Sequence, residues 1–164
     1  MTVRLLITGG TFDKEYNELT GALFFKDTHV PEILRAGRCH LDVDVRTLMM
    51  MDSLDMTEVE REIIVENCRR CRRDRIVVTH GTDSMELTAR ALGQAIRDRT
   101  IVLTGAMVPY MVTSSDAVFN FGCAVTAAQL SPPGVWIAMN GRVFRWDAVR
   151  KNRDLGVFEP KEEP

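Results

Sequence analysis

Strand and helix signals alternate along this chain. The alternation predicts an α/β fold with three layers, in which helices cover both faces of a mostly parallel sheet of the Rossmann-like or flavodoxin-like kind. Length and composition agree, because 164 residues with 45% hydrophobic and 27% charged side chains suit one domain with its own core. We expect this domain to span residues 1–158. Residues 159–164, EPKEEP, are expected to form a frayed tail.

The first part of the chain predicts two strands separated by a loop. Val3 to Thr8 is a short apolar run typical of a buried strand. The segment FDKEYNELTG that follows is polar and contains glycine, which indicates a loop. Leu41 to Leu48, LDVDVRTL, alternates between apolar and polar residues, so it predicts an edge or half-buried strand.

Two helices with a strand between them are predicted next. Thr57 begins the first helix, because Glu60 stands at the capping-box position. Ile76 to Thr79 is a strand, and Asp83 with Glu86 predicts the N-terminus of the second helix. Apolar stripes at helical spacing indicate the buried faces. These stripes are Val59, Ile63, Ile64, Cys68 and Cys71 in the first helix, and Leu87, Ala91, Leu92, Ala95 and Ile96 in the second.

The last third of the chain continues the same alternation. Thr100 to Thr104 predicts a strand, and a helix capped by Ser115 or Asp116 runs to about Leu130. An SPPG turn then leads into a strand from Val135 to Met139. The polar segment from Asn140 to Asp147 is compatible with a hairpin.

Composition argues against several classes of protein. A net charge of -2 and a pI of about 5.9 argue against an electrostatic nucleic-acid binder. No segment has the roughly 18 to 20 apolar residues that a membrane span needs, and MTVRLLITGG is too brief for a signal peptide, so we expect a cytoplasmic protein. Cys68 and Cys71 form a CxxC inside a helical pattern without a second ligand pair, which favours packing over a zinc or redox site.

Two strand-end turns carry most of the functional signal. LLITGGTFD contains Thr11 and Asp13, and IVVTHGTDS contains Thr82 and Asp83. Ligands of an open parallel sheet bind beyond the carboxyl ends of its strands, where the strand order reverses. We therefore expect the two turns to face one cleft, each with a hydroxyl and exposed backbone N–H groups.

These residue types suit attack on a carbonyl. A threonine hydroxyl is a weak nucleophile that needs a base, and Lys151 could return to the cleft as a partner for Thr82 and Asp83. A partly buried lysine can accept the proton of a threonine while an aspartate orients it, and turn N–H groups can hold an oxyanion. The alternatives are a tight connection, simple helix caps, or a dinucleotide loop, although ITGGTF lacks the full GxGxxG.

Several motifs occur in one order across nearly the whole chain: ITGGTFDK, MDSLDM, VTHGTDSMELTA, LTGAMVP, SSDAVFNF and VRKN. With them the chain resembles the bacterial L-asparaginase family, in which longer members carry a second, smaller C-terminal domain. The resemblance implies that this chain is the family's N-terminal catalytic domain, and the chain most resembles the short single-domain subgroup. The implied reaction is hydrolysis of L-asparagine to L-aspartate and ammonia through a threonine-linked acyl-enzyme, without metal or organic cofactor.

The resemblance also implies roles for individual residues. Thr11 is the nucleophile, and Tyr16 is the loop tyrosine that hydrogen-bonds it. Thr82 positions or activates the water or nucleophile, Asp83 binds the substrate's α-amino group, and Lys151 pairs with both. The other implied substrate-binding residues are Ser53, which holds the α-carboxylate, Ala106, whose backbone touches the amide, and Gly10, Asp52, Gly81 and Met107.

Several alternatives stay open at this level. An ungapped alignment places Arg150, which cannot deprotonate, at the position of the family lysine, whereas a one-residue shift places Lys151 there; we favour Lys151. Leu54 stands where many relatives have a polar substrate-binding residue. The chain could instead be a glutaminase or another small-amide amidohydrolase, or a catalytically weak amino-acid-binding module.

Self-association is expected to cover the open cleft. We predict a homo-oligomer, a dimer or tetramer, with a small-molecule substrate and with neither nucleic acid nor membrane as partner. The run Met49–Met51 serves either as an interface or as core packing.

Overall fold

A computed structural model of the chain describes residues 1–161. Within that range the first half of the fold contains a short 3-10 turn at Thr11–Asp13 and seven longer elements. They are β1 (Thr2–Gly9), β2 (Lys14–Asn17), β3 (Ala22–Phe25), α1 (Val30–Ala36), β4 (Asp42–Met51), α2 (Glu58–Arg70) and β5 (Arg75–Thr79). The second half contains α3 (Met85–Ala95), β6 (Thr100–Thr104), α4 (Ala117–Leu130), β7 (Gly134–Met139), β8 (Arg142–Arg145), β9 (Val149–Asn152) and β10 (Val157–Pro160).

Six strands form the central sheet in the order β4-β1-β5-β6-β7-β8. The first five run parallel, and β8 pairs antiparallel with β7. The chain leaves β1 for β4 on one side and later continues at β5 on the other, so the strand order reverses between β1 and β5. This is the flavodoxin-like order, and it confirms the predicted α/β fold.

Helices cover both faces of the sheet, because the buried strands present apolar side chains alternately to each side. Ile76 and Val78 of β5 pack in one core with α2 and α3, whereas Val77 packs in a second core with α1 and α4. The predicted edge strand is β4, whose Met49 and Met51 pack against the first core and Met50 against the second. Across residues 1–161, no helix has the length and apolar character needed to cross a membrane.

The segment predicted as a loop after the first strand is instead a hairpin of β2 and β3. Tyr16 pairs with Leu23, and the turn closes where Gly21 N donates to the Asn17 carbonyl at 2.8 Å. Gly21 has a φ of 71°, and the Asn17 side chain accepts from Leu19 N at 2.9 Å. The hairpin lies outside the main sheet and exposes much of its apolar surface, so it lacks the alternating pattern that marks a half-buried strand.

Helix α2 has the predicted capping box but a different buried face. Thr57 Oγ1 accepts from Val59 N at 3.2 Å, and Glu60 accepts from Thr57 N at 2.7 Å. Val59 and Ile63 were predicted to be buried, but they are 66% and 43% exposed. The positions that face the core are Arg61, Ile64, Val65 and Cys68. The apolar stripe in the sequence does not mark this face, because one of its members is the charged Arg61.

Helix α3 begins later than predicted. Ser84, not Asp83, is its N-cap residue, and the Glu86 carboxylate accepts from Lys151 N rather than closing a capping box. Leu87 and Ala95 are exposed, contrary to the predicted face. The buried face consists of Met85, Thr88, Ala89, Leu92 and Gly93, so a polar residue and a glycine occupy positions that an apolar stripe does not reveal.

The C-terminal part contains two hairpins. Asn140 and Gly141, both at positive φ, form the two-residue turn that joins β7 to β8. Glu159 and Pro160 were predicted to belong to a frayed tail, but they are part of β10, and Lys161 N donates to the Ala148 carbonyl at 3.0 Å. Pairing with β9 orders this segment despite its charged composition, and the tail prediction for residues 162–164 lies outside the described residues.

The CxxC occupies the C-terminal end of α2. Cys68 is buried in the core, and Cys71 is the C-cap residue. Burial raises the pKa of the Cys68 thiol to about 12, which leaves it unreactive at neutral pH. Both cysteines are free, in agreement with a packing role.

Candidate active site

The loops that follow β1, β4, β5 and β6 contact one another at the carboxyl edge of the sheet. Gly10, at a φ of 80°, lies so close to Gly81 that a Cβ there would approach the Gly81 Cα to 2.5 Å. A Cβ on Gly81 would in turn lie 2.5 Å from Ser53 Oγ, and one on Gly105 would overlap the His80 carbonyl. The two Gly-Thr turns therefore meet backbone to backbone, and only glycine permits that approach.

Substitution of Gly10 by alanine is expected to separate these turns. The added Cβ meets backbone atoms that cannot rotate away, and the positive φ adds strain, so we expect a loss of about 3 kcal/mol in unfolding free energy. Urea denaturation measures the loss. The matched control is Gly122→Ala in α4, where a Cβ meets nothing within 4 Å and helix propensity favours alanine. Equal stabilities of the two variants would contradict the expected contact.

A lysine at this edge joins a threonine and an aspartate. Lys151 Nζ donates to Thr82 Oγ1 at 2.8 Å and to Asp83 Oδ1 at 2.7 Å. The Lys151 side chain is only 5% exposed, whereas that of Asp83 is 35% exposed. Arg150 lies one residue earlier and forms an ion pair with Glu159 instead. Of the two neighbours, the lysine is therefore the one that contacts the threonine and the aspartate.

The β9–β10 hairpin carries Lys151 to the N-terminus of α3. Val149 and Phe158 are buried in the core, and they fix the hairpin beside the sheet. Lys151 pairs in register with Phe158, and its backbone N–H donates to Glu86 Oε1 at 2.9 Å. A contact across 65 residues of sequence thus sets the position of the lysine.

The same hairpin contributes an arginine that sequence reasoning missed. Arg153 Nη2 donates to the Asp83 carbonyl at 3.0 Å, and Nη1 lies 3.4 Å from Asp83 Oδ1. The Arg153 side chain is 64% exposed, so it stands at the mouth of the site while Lys151 stands inside it. Its position two residues after Lys151 in a β-strand and turn was the available signal, since alternate strand residues share a face.

Thr82 is nearly buried, and the loop after β6 lies beside it. Its Oγ1 lies 3.5 Å from Met107 Sδ. The Asp116 carboxylate accepts from the backbone N–H groups of Met107 and Val108 at 3.0 Å. Asn120 Nδ2 donates to Asp116 at 2.8 Å and to the Gly105 carbonyl at 3.0 Å. These bonds hold the segment that contains Ala106 and Met107 against the threonine.

Ser53 and Asp52 connect the loop after β4 to the two turns. Ser84 Oγ donates to the Ser53 carbonyl at 2.6 Å, and Ser53 Oγ accepts from Ser84 N at 3.4 Å. Lys14 forms an ion pair with Asp52, and its hydrogen bond is the main cause that lowers the pKa of the Asp52 carboxyl. Leu54 follows with 67% of its side chain exposed.

Thr11 is the first residue of the 3-10 turn, and two buried neighbours anchor it. Phe12 is fully buried against Phe121, with ring centroids 5.9 Å apart. Asp13 is also buried, and its Oδ1 accepts from Thr28 Oγ1 and His29 N, both at 3.0 Å. Burial raises the pKa of the Asp13 carboxyl above its ordinary value. The buried contacts of Phe12 and Asp13 therefore hold the turn that begins at Thr11 in place.

Tyr16 is not brought to Thr11 in this structure. It lies in β2 with 62% of its surface exposed, and its hydroxyl is close to Gly21 at the far end of the hairpin. Among residues 1–161, no hydrogen bond joins Tyr16 to Thr11. The hydrogen bond that the resemblance implies is thus not formed in this structure, and the role of Tyr16 stays a proposal.

His80 of the second turn is a buried structural residue. Its Nδ1 lies 2.7 Å from the Gly81 carbonyl, which can only accept, so Nδ1 carries the proton. Nε2 then accepts from Thr88 Oγ1 at 2.8 Å. Burial lowers the pKa of His80 to about 4, which keeps the ring neutral at pH 7. The histidine therefore ties the turn to α3 rather than facing the cleft.

The chain is similar to known proteins over most of its length. A family model described as Asparaginase, N-terminal, matches residues 2–158. The L-asparaginase of Thermococcus kodakarensis is 40% identical over 86 residues, which are 51% of this chain and 26% of that protein. A glutamyl-tRNA(Gln) amidotransferase subunit of Methanococcus vannielii is 32% identical over 152 residues, which are 86% of this chain and 34% of that protein.

The fold is also similar to a solved structure. The thermostable L-asparaginase from Thermococcus kodakarensis superposes with a TM-score of 0.88 at 28% identity, and the match covers 100% of this chain and 52% of that one. The chain thus spans about a quarter to a third of these curated relatives, and about half of the solved chain.

Proposed function

This chain belongs to the asparaginase family, because residues 2–158 match the family's N-terminal domain. We propose that it hydrolyses L-asparagine to L-aspartate and ammonia through a threonine-linked acyl-enzyme. Membership of the family supports a hydrolase. The observation that carries the finer proposal is the contact of Lys151 Nζ with both Thr82 Oγ1 and Asp83 Oδ1. A hydroxyl, an amine and a carboxylate in continuous contact can pass a proton from one to the next.

In the first proposed step, Thr11 Oγ1 attacks the carbonyl carbon of the side-chain amide. The hydroxyl proton passes to a base, and backbone N–H groups of the facing turns stabilise the oxyanion. Protonation of the amide nitrogen breaks the C–N bond and releases ammonia, which leaves an ester on Thr11. In the second step, a water molecule attacks the ester carbonyl while its proton passes through the Thr82 hydroxyl to Lys151, which acts here as a neutral amine. The proton then moves to Thr11 Oγ1 as the ester C–O bond breaks, which releases L-aspartate and regenerates the Thr11 hydroxyl.

The proposed substrate site uses charges that suit a free amino acid. Asp83 binds the α-ammonium group, and Ser53 with nearby N–H groups binds the α-carboxylate. The partly exposed position of Asp83 supports the first contact. Lys151 and Arg153 both contact its Oδ1, and within residues 1–161 its Oδ2 has no hydrogen bond. The remaining proposed contacts are with Gly10, Asp52, Gly81, Ala106 and Met107, all on the loops that meet at this edge.

Arg153 adds a cation at the mouth that is expected to raise affinity for the substrate carboxylate. Its guanidinium carries five N–H donors, of which two form the contacts with Asp83. We expect Arg153→Gln to raise KM for L-asparagine about fivefold to tenfold, with kcat within about twofold, since an exposed charged hydrogen bond contributes roughly 1 kcal/mol. Steady-state kinetics measure the split. A fall in kcat without a change in KM would assign Arg153 to Asp83 rather than to substrate.

Steady-state ammonia release from L-asparagine and L-glutamine tests the proposed function. We expect turnover of asparagine with a higher kcat/KM than for glutamine. Equal efficiency would favour a broader amidohydrolase or glutaminase. The similarity to an amidotransferase subunit over 86% of this chain supports that alternative. If no ammonia forms and asparagine still raises the melting temperature, the chain is an amino-acid-binding module.

The proposed acyl transfer requires no metal or organic cofactor. We propose that the protein is cytoplasmic. We also propose that it forms a dimer or tetramer that covers the cleft, because the cleft is open to solvent beside Asp83 and Arg153. Size-exclusion chromatography with light scattering measures the oligomeric state.

A further inference from the structure

A strongly basic groove lies away from the candidate active site. It has a volume of about 690 Å³ and runs between β1, the edge strand β4 and the last turn of α2. Its charged lining residues, which define the arginine groove, are Arg4, Arg46, Arg70, Arg72 and Arg73 with Asp44 and Glu66. Five cations against two anions leave three positive charges, although the whole chain carries a net charge of -2.

The two carboxylates of the groove are already paired. Arg4 Nη2 lies 2.5 Å from Asp44 Oδ2, and Glu66 pairs with Arg70 at 2.5 Å and with Arg69 at 2.6 Å. Within residues 1–161, the guanidinium groups of Arg46, Arg72 and Arg73 take part in no hydrogen bond or ion pair. The groove therefore presents three uncompensated guanidinium groups.

The need to neutralise the C-terminus of α2 does not explain these arginines. Cations are favourable at a helix C-terminus because its last carbonyls are unsatisfied. Arg99 meets that need from another segment, since its Nη1 donates to the carbonyls of Cys68 at 3.0 Å and Cys71 at 2.6 Å. Arg75 is likewise occupied, with Nη1 donating to the Ser131 carbonyl at 2.5 Å. Among the described residues, the side chains of Arg72 and Arg73 thus have no partner at this helix end.

We propose that the arginine groove binds a small anion that carries two or more phosphate groups. Guanidinium groups match phosphate oxygens with paired N–H donors, and the volume is that of a small-molecule site. None of the described residues that line the groove has an aromatic side chain on which a base could stack, so recognition rests on the phosphates. The groove lies toward the amino ends of the strands, opposite the edge where Thr11 and Thr82 meet, and the proposal is independent of the proposed function.

Calorimetry with sodium tripolyphosphate at constant ionic strength tests the proposal. We expect saturable binding at one site per chain and at least a tenfold loss of affinity in the triple variant R46Q/R72Q/R73Q. The matched control is R38Q/R90Q/R97Q, which removes the same charge from exposed positions outside the groove and is expected to bind as the unmodified chain does. An equal loss in both triples, or no saturation, would show only general electrostatic attraction and overturn the site.

Further arms of the same experiment distinguish the source of the phosphates. ATP is expected to bind within about threefold of tripolyphosphate, because the base adds no contact, and inorganic phosphate at least tenfold more weakly. A single-stranded RNA oligonucleotide that binds more tightly than tripolyphosphate and loses that affinity in the groove triple would overturn the proposal in favour of a nucleic-acid surface. Circular dichroism of both triples verifies that the comparison is made on folded protein.

Discussion

Replacing Lys151 by methionine is expected to lower kcat/KM for L-asparagine by roughly 10³-fold while the protein stays folded. Methionine keeps the length and apolar body of the side chain but removes the amine that contacts Thr82 and Asp83. Loss of a positioned acid or base typically costs 10²-fold to 10⁴-fold in rate. The measurement is ammonia release, with urea denaturation to show that stability changes little, since Asp83 is 35% exposed and stays partly solvated.

The control for this experiment is one residue away. Arg150→Met removes a cation that pairs with Glu159, so activity is expected to stay within about twofold of the unmodified enzyme. If Lys151→Met keeps full activity, the proton relay through Thr82 is wrong. If Arg150→Met is the inactive variant, the ungapped alignment describes the site better than the contacts do.

Replacing Thr11 by alanine is expected to abolish turnover, to below about 10⁻³ of the original rate, and to leave substrate binding intact. The hydroxyl is the proposed nucleophile, so its loss removes the covalent step rather than a contact that holds the substrate. Two measurements follow: ammonia release, and the rise in melting temperature with added asparagine. Because Phe12 and Asp13 anchor the turn from below, the shorter side chain should not disturb it.

Two companion variants separate the roles of the two threonines. Thr11→Ser keeps a hydroxyl and should keep measurable activity, and Thr82→Ala should accumulate an acyl-enzyme that intact mass spectrometry detects after acid quench. An acyl adduct on Thr11→Ala protein, or full activity of that variant, would exclude Thr11 as the nucleophile. Loss of asparagine binding in Thr11→Ala would instead assign the residue to substrate contact.

The proposed role of Tyr16 depends on where the β2–β3 hairpin places it. The β2–β3 hairpin is joined to the rest of the fold mainly through its base, where Asp13 accepts from the start of α1 and Lys14 pairs with Asp52. Tyr16 lies further along this hairpin, with its hydroxyl near Gly21. A role for Tyr16 at Thr11 therefore requires a hydrogen bond that residues 1–161 do not form in this structure.

Local patterns were sufficient for the parallel strands, for helices α2, α3 and α4 and for the pairing of the two turns, but they did not reveal α1, whose Val30 and Ile33 pack in the second core. Buried parallel strands such as Ile76 to Thr79 are continuous apolar runs, and a capping box such as Thr57 with Glu60 is a contact between neighbours in sequence. The strand-end rule for open sheets placed Thr11 and Thr82 at one edge, because that rule depends only on strand direction and order. These features use interactions between residues that are close along the chain or repeat with a fixed period.

Tertiary structure decided everything that depends on contacts between distant segments. Lys151 and Arg150 are indistinguishable by pattern, and only the pairing of β9 with β10 and the bond to Glu86 determine which of them reaches Thr82. The glycine contact of Gly10 with Gly81 and the placement of Arg153 depend in the same way on loops from different strands. Such contacts leave no periodic trace, because the packing of whole elements sets them. The sequence by itself therefore determined the layers and the edge that bears the site, and the packed chain decided which side chains meet there.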